Sequence, residues 1–283
     1  TFVYVDSTQG WVNTMDSTSD IRATTYISAT GGSISTCGDY KIHVFTAPGT
    51  FTVSSAGNPT NDEAQYLVVA GGGSGAAANY ANIGEGGGGG GGFRVYDGCS
   101  PATPPLNAPG AVTVTAGAYP IAVGGGGAAK TFPGSSTAVL GAQGSSSIFG
   151  SIASAGGGFG ALCGGATPPQ PAGTGGSGGG GGRGNANFTD GGAGNTPPVA
   201  PPQGQNGGAG TPLGARAAPA PGPNRNGGGG GGAGQVGGSG DDYGAKYGGN
   251  GSYVCSANFF GPPGGNYGTP GPVAPGRYFS GGG

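Results

Sequence analysis

Residues 1–70 contain short runs of alternating apolar and polar side chains, bounded by Gly, Pro, Asn and Asp, a pattern typical of β-strands. The run at 64–70 (AQYLVVA) is apolar on both faces and is therefore expected to be a buried central strand. Together the runs predict an antiparallel sheet or a small sandwich. The strands expected here lie at 2–5, around Trp11, and at 24–29, 40–46, 50–54 and 64–70.

Beyond Gly71 the pattern changes to glycine runs separated by strand-like pieces, of which 93–96 (FRVY) is one. Apolar residues alternate in 111–127 as they do in a hairpin, and 145–160 places Ile and Phe side chains just ahead of glycine. No helix of consequence is expected, because Gly and Pro penalise it throughout and no 3.6-residue apolar period occurs.

Composition decides how the glycine runs are interpreted. The 283 residues include 76 Gly and 24 Pro, roughly 35% of the chain, and at that share disorder is the usual interpretation. Disordered chains usually carry a high net charge and few aromatics, whereas here 7% of residues are charged, the net charge is -2, and 8% are aromatic. The composition therefore indicates either an ordered glycine lattice or an aggregating chain.

The arrangement of the glycines favours a lattice. Collagen is excluded, because uninterrupted runs such as 227–232 contain no X and Y residues. Polyproline-II helices have about three residues per turn and no internal hydrogen bonds, and all-glycine helices of this type can approach until their backbones pair with one another. The runs lie near 71–75, 84–92, 124–127, 156–160, 173–184, 191–194, 227–234, 237–240, 248–251, 261–268 and 281–283.

The expected fold class is mainly β with an irregular glycine-rich body and essentially no α-helix. An N-terminal antiparallel β region is expected at 1–70. A bundle of polyglycine-II/polyproline-II-type helices, with short strands and Pro-rich loops, is expected at 71–283. A Pro-Ala-Gly stretch at 196–225 is expected to interrupt this bundle.

No motif for catalysis, metal binding or nucleic-acid binding stands out. Nine Lys and Arg are too few and too scattered to neutralise a phosphate backbone, and no apolar stretch approaches the roughly 18 residues of a membrane span. The single histidine, His43, lies in an expected strand and is interpreted as structural. No enzyme activity, cofactor or metal is therefore expected. The four cysteines permit two disulfides in three pairings, or free thiols: Cys37, Cys99, Cys163 and Cys255.

Five stretches in this order resemble the glycine-rich domain of bacteriophage tail-fibre and tail-tip proteins. They are GDYKIHVFTAPGTFTV, YLVVAGGGSG, AVTVTAGAYPIAVGGGG, GSSSIFGSIASAGGGFG and GTPGPVAPGRYFSGGG, and the resemblance spans about residues 26–283. It implies a location in the virion, outside the cell, at the tail tip or fibre. The related tail-fibre adhesins of T-even-like phages are similar in stacking polyglycine helices that present loops to a host receptor.

The same resemblance implies that segments between glycine runs contact the receptor. Their aromatic and amide side chains suit sugars and protein loops, since rings stack on apolar faces and amides both donate and accept hydrogen bonds. The candidate receptor-binding residues are Asn79, Tyr80, Asn82, Asn187, Phe188, Asp241, Asp242, Tyr243 and Tyr247.

Two functions from different classes remain open at this point. The first is a non-enzymatic virion protein that mediates host attachment or braces the fibre, with other tail proteins or copies of itself as partners and a host surface protein or glycan as receptor. The second is a self-assembling extracellular glycine-rich fibre or matrix protein without a receptor. Neither function involves nucleic acid or insertion into a membrane.

Overall fold

The computed structural model describes residues 2–13, 24–78, 84–98, 106–131, 138–163, 168–184, 187–211, 226–240, 247–254, 267–270 and 277–283. Within these ranges the secondary structure consists of β-strands, with no helix, so the mainly β fold class is confirmed. The strands are β1 (Phe2–Tyr4), β2 (Trp11–Asn13), β3 (Ser28–Thr30), β4 (Ser33–Cys37), β5 (Tyr40–Val44), β6 (Gly49–Ser55), β7 (Glu63–Ala64), β8 (Tyr66–Val69), β9 (Phe93–Tyr96), β10 (Val112–Thr113), β11 (Gly117–Ala122), β12 (Ser147–Phe149), β13 (Ile152–Ser154), β14 (Ser252–Val254), β15 (Thr269–Pro270) and β16 (Arg277–Phe279).

The largest sheet joins strands that are far apart in the sequence. Its order is β13-β12-β11-β6-β3, and each neighbouring pair is antiparallel. In β6 the side chains of Phe51 and Val53 are buried while their neighbours face solvent, as the alternation predicts. The Phe51 ring lies edge-on to Phe149 of β12, with 5.9 Å between ring centroids, and 6.2 Å from Tyr119 of β11. This aromatic cluster holds the three strands together.

The other strands form small antiparallel sheets: β1-β2, β4-β5, β7-β10, β8-β9 and β14-β16-β15. A second core lies where β9 and β14 meet the glycine-rich part of the chain. It contains Phe93, Val95, Leu106, Ala233 and Val254, all nearly inaccessible to solvent. This core therefore anchors the strands to the glycine runs.

Two predictions about strand pairing are wrong. The expected hairpin at 111–127 does not form, because β10 pairs with β7 while β11 pairs with β6 and β12. The run at 64–70 is not a central strand: the side chains of β8 alternate between buried and partly buried, and among the described residues β8 pairs with β9 alone. The described strands before residue 70 are antiparallel, as expected, and are distributed over several sheets. Alternation shows which face of a strand is buried, and it carries no information about the partner.

The predicted boundary at residue 70 stays a prediction. The largest sheet takes β3 and β6 from one side of that residue and β11, β12 and β13 from the other. Strand β4 was missing from the expected set, because only Ile34 in SISTC is strongly apolar and its side chain is 48% exposed.

The glycine runs lie side by side as extended segments joined by backbone hydrogen bonds. In the segment 84–92, N–H groups three residues apart bond to the same neighbouring segment. One set of N–H groups, at Gly86, Gly89 and Gly92, donates to the carbonyls of Ala161, Gly158 and Ala155 at 3.1, 2.8 and 2.8 Å, respectively. A second set, at Gly87 and Gly90, donates to the carbonyls of Gly228 and Gly231 at 3.1 and 3.0 Å. Every third residue of this segment therefore faces the same neighbour.

The segments approach so closely that a Cβ atom has no room between them. A Cβ on Gly86 would overlap the carbonyl oxygen of Gly180, and one on Gly89, three residues later, would overlap that of Ser177. Both distances fall below 3.0 Å, a separation that real Cβ atoms essentially never show. The run from 86 to 92 is therefore glycine for a steric reason.

The Pro-rich stretch does not interrupt the bundle within its described part. Residues 195–203 form a turn that contains two cis X-Pro bonds, and the Asn195 side chain accepts hydrogen bonds from the backbone N–H groups of Val199 and Gln203 at 3.1 and 3.2 Å. The chain then re-enters the bundle at 203–211 and bonds to the segment 226–234. Residues 212–225 lie outside the described ranges.

Candidate functional site

Six stretches outside the described ranges join the glycine-rich segments to one another: 79–83, 132–137, 164–167, 185–186, 212–225 and 241–246. The described residues next to these stretches lie together at one end of the bundle. Ala77 and Val139 exchange backbone hydrogen bonds at 2.9 and 2.8 Å, and Gly84 and Arg183 do so at 3.0 and 2.6 Å. We call this the connecting end, and we call the opposite end, where segments lead into β9 and β14, the strand end.

The remaining flanking residues join the same end. Thr211 donates its backbone N–H to the carbonyl of Asn226 at 3.0 Å, and the N–H of Gly240 bonds to the carbonyl of Ala209 at 2.7 Å. The Thr211 side chain is buried and also bonds to the backbone of Asn226. The ends of three segments are thus tied to one another before the chain passes into the undescribed stretches.

Arg183 forms side-chain hydrogen bonds to the backbone in the middle of the connecting end. Its guanidinium Nη1 donates to the backbone carbonyl of Asn187 at 3.0 Å and also to that of Gly184, so it bridges the undescribed residues 185–186. Glu85, also flanked by glycines, accepts the backbone N–H of Cys163 at its Oε2, 2.9 Å away. The side chains of Arg183 and Glu85 therefore connect the ends of three segments, those that contain Glu85, Cys163 and Arg183.

Cys163, whose backbone N–H binds the Glu85 carboxylate, is almost fully buried. Burial raises the pKa of the Cys163 thiol and the Glu85 carboxylate raises it further, against opposing effects of a Gly184 backbone hydrogen bond and the Arg183 guanidinium. The thiol is therefore protonated at neutral pH, and a protonated thiol is neither a nucleophile nor a metal ligand. Cys163 is a free structural cysteine, as is Cys37 in the strand β4.

The structure places three of the nine candidate receptor-binding residues, all at the connecting end. Asn187 is exposed, and its carbonyl accepts the Gly184 N–H at 2.8 Å. Phe188 pairs with Arg183 through a β-bridge, and its side chain is 38% exposed. Tyr247 is 86% exposed, while its carbonyl accepts the Gly238 N–H at 3.0 Å. All three backbones are held by the bundle and leave the side chains available to a partner.

The other six candidates lie outside the described residues, within stretches whose flanks reach the connecting end: Asn79, Tyr80, Asn82, Asp241, Asp242 and Tyr243. Sequence reasoning missed Glu85 and Arg183, which support this end. The available signal was a charged residue with glycine on both sides, in a chain with few charges.

Elsewhere the described residues hold no arrangement typical of a catalytic or metal site. His43 hydrogen-bonds through Nδ1 to the carbonyl of Gly31 at 2.8 Å; since a carbonyl only accepts, Nδ1 carries the proton. Its ring lies edge-on to Phe51 at 5.0 Å, which agrees with a structural role. Within the described ranges no three His, Cys, Asp or Glu side chains group as metal ligands, and no helix has the length and apolarity needed to cross a membrane.

Comparison with known proteins gives one match. Residues 46–283 match the model of a family described as a glycine-rich domain. The match begins just before β6 and covers the run 84–92 and the segments bonded to it, so it includes both ends of the bundle. No curated protein and no solved structure matches the chain significantly.

Proposed function

Since the chain belongs to the glycine-rich domain family, we propose that it is a non-enzymatic virion protein of a phage tail fibre or tail tip. Its role would be to attach the particle to a host surface, or to brace the fibre that does so. The observation that carries the proposal is that the described residues next to six connecting stretches meet at one end of a close-packed bundle.

We propose that this bundle consists of polyglycine-II helices. The three-residue hydrogen-bonding period of the segment 84–92 supports this geometry, because a polyproline-II-type helix returns to the same neighbour every third residue. The steric exclusion of Cβ at Gly86 and Gly89 follows the same period. The pairing of backbone groups between segments satisfies donors and acceptors that lack partners inside such a helix.

A bundle of this kind suits attachment, because it separates the support from the recognition surface. Its interior tolerates only glycine at close contacts, so side chains that recognise a receptor have to lie outside these contacts. Exposed segments on a rigid scaffold are a common location for binding residues. Phe188 and Tyr247 supply exposed rings at this end, and Asn187 supplies an amide.

A cell-binding assay tests the proposal. The fluorescently labelled chain is incubated with a panel of bacterial strains, next to the variants Phe188→Ala and Tyr247→Ala. Tyr26→Ala is the matched control, because Tyr26 is 71% exposed and precedes the matched domain. We expect binding to a subset of strains that either connecting-end variant weakens and the control does not. Equal binding by all four proteins would contradict a receptor surface at the connecting end.

One observation favours the alternative, a self-assembling glycine-rich fibre without a receptor. A Cβ on Gly125 would meet nothing within 4 Å, and one on Gly126 only the carbonyl of Gly72 at 3.6 Å, so one side of the segment 123–131 is uncovered. A second copy could extend the bundle there. Light scattering separates the two functions: growth into filaments with increasing concentration would support the fibre, and a closed species of fixed size would support the attachment protein.

A further inference from the structure

A cleft of about 310 Å³ opens at the strand end, away from the connecting end. Buried Leu106 and Ala233 line its apolar part, and both belong to the core around Phe93. The cleft lies where the chain turns after the segment 226–234 and where the segment 247–251 leads into β14. Its volume is at the lower end of the roughly 300–1,000 Å³ typical of small-ligand sites.

Two tyrosine rings form one side of this cleft. Tyr253 of β14 and Tyr278 of β16 face each other across the strand pair, with ring centroids 5.0 Å apart and an angle of 35° between the ring planes. Both side chains are partly exposed. The face of a tyrosine ring is flat and apolar and its hydroxyl is polar, so the ring packs on a ligand that has a C–H face and a hydrated rim.

Three amide side chains complete the lining: Gln205, Gln235 and Asn250. Their backbones are held in place: the N–H of Gln205 bonds to Gly232 at 3.0 Å, and the carbonyls of Gln235 and Asn250 accept bonds at 2.9 and 3.0 Å. Within the described part of the chain, none of the three side-chain amides is hydrogen-bonded to another residue. Each amide therefore has a donor and an acceptor available to a ligand.

We propose that this cleft binds a neutral pyranose unit of a glycan. Among the described residues that line it there is no Asp, Glu, Lys or Arg, which disfavours an ionic ligand. Sugar hydroxyls both donate and accept hydrogen bonds, as the amides do, and the C–H face of a pyranose ring matches the tyrosine rings. The glycan site is separate from the connecting end and does not depend on that end being a receptor surface.

Titration of the full chain with methyl glycosides of glucose, galactose, mannose and N-acetylglucosamine tests the site, with glucuronate as the charged comparison. The readout is the aromatic NMR resonances of Tyr253 and Tyr278. We expect at least one neutral glycoside, at about 10 mM, to shift both resonances, as a millimolar dissociation constant would allow. Asn250→Ala and Gln235→Ala should each weaken binding about threefold to tenfold, the effect of one lost hydrogen bond.

Tyr26→Ala is the matched control, since it removes an exposed tyrosine that neither lines the cleft nor belongs to the connecting end. It should leave glycoside binding unchanged, and circular dichroism of every variant checks that the fold is intact. Loss of binding in Tyr247→Ala with retention in the two amide variants would move the sugar site to the connecting end and overturn the proposal. The absence of any shift with all four neutral glycosides would also overturn it, as would preferential binding of glucuronate.

Discussion

Replacing Gly180 with alanine should destabilise the bundle, although it adds a single methyl group. Gly180 is buried, its N–H donates to the carbonyl of Gly87 at 2.7 Å, and its carbonyl accepts the N–H of Ala161 at 2.9 Å. An added Cβ would overlap the carbonyl oxygen of Gly228 in the segment 226–234. Because that atom belongs to backbone, no side chain can rotate away, and the two segments have to separate.

The expected loss of stability follows from three contributions. Overpacking a close-packed interior costs about 1–3 kcal/mol. Separation of the segments stretches the hydrogen bonds from Gly228 to Gly181 at 2.7 Å and from Gly231 to Gly178 at 2.8 Å, each worth about 0.5–1.5 kcal/mol. Alanine also lowers the conformational entropy of the unfolded chain, which stabilises the folded chain by about 0.4–1 kcal/mol. The net decrease in unfolding free energy should be roughly 2–4 kcal/mol.

Gly125→Ala is the matched control, since a Cβ there meets nothing within 4 Å. It should be neutral or stabilising by about 0.4–1 kcal/mol, because only the unfolded chain is affected. Urea unfolding of the two variants and the parent chain, followed by circular dichroism, measures the difference. If Gly180→Ala unfolds at the same urea concentration as Gly125→Ala, the steric explanation for the glycine runs is wrong.

Three further predictions concern single side chains. Phe93→Ala should lower the unfolding free energy by about 3–5 kcal/mol in urea unfolding, because Phe93 is fully buried; a loss below 1 kcal/mol would contradict the core assignment. At neutral pH, Cys163 should react with a thiol reagent more slowly than half-buried Cys37, because burial raises the pKa of the Cys163 thiol; mass spectrometry of labelled peptides would show faster labelling of Cys163 if this is incorrect. Burial also raises the pKa of the Tyr66 phenol, against an opposing effect of Arg94. In the folded chain Tyr66 therefore keeps its proton at pH values at which the unfolded chain loses it. The contribution of the Tyr66 phenol to the free energy of unfolding is therefore complete below pH 10 and is lost as the pH rises further. Above pH 10 the Tyr66→Phe variant should then lose less stability than the parent chain, as measured by urea titrations at several pH values.

Part of the site could be predicted from the sequence. Of the candidate receptor-binding residues, Phe188 and Tyr247 are exposed at the connecting end, and their contact with a receptor stays a prediction. The contacts beneath them could not be predicted, because Arg183 and Cys163 are brought close to Glu85 only when three distant segments pack together. The tyrosine cleft was missed for the same reason, since its amides come from separate segments.

The local geometry of this protein follows directly from its residue pattern. Glycine runs and proline exclude helix, alternating residues such as Phe51 and Val53 mark one buried face of a strand, and uninterrupted glycine permits backbones to approach without a Cβ between them. Tertiary structure alone decided which segment lies beside which. Glycine residues have no side chains that distinguish one run from another, so nothing within the run 86–92 specifies which segments it pairs with. Those partners are selected by what lies at the ends of the runs: the core around Phe93 at one end and Arg183 with Glu85 at the other.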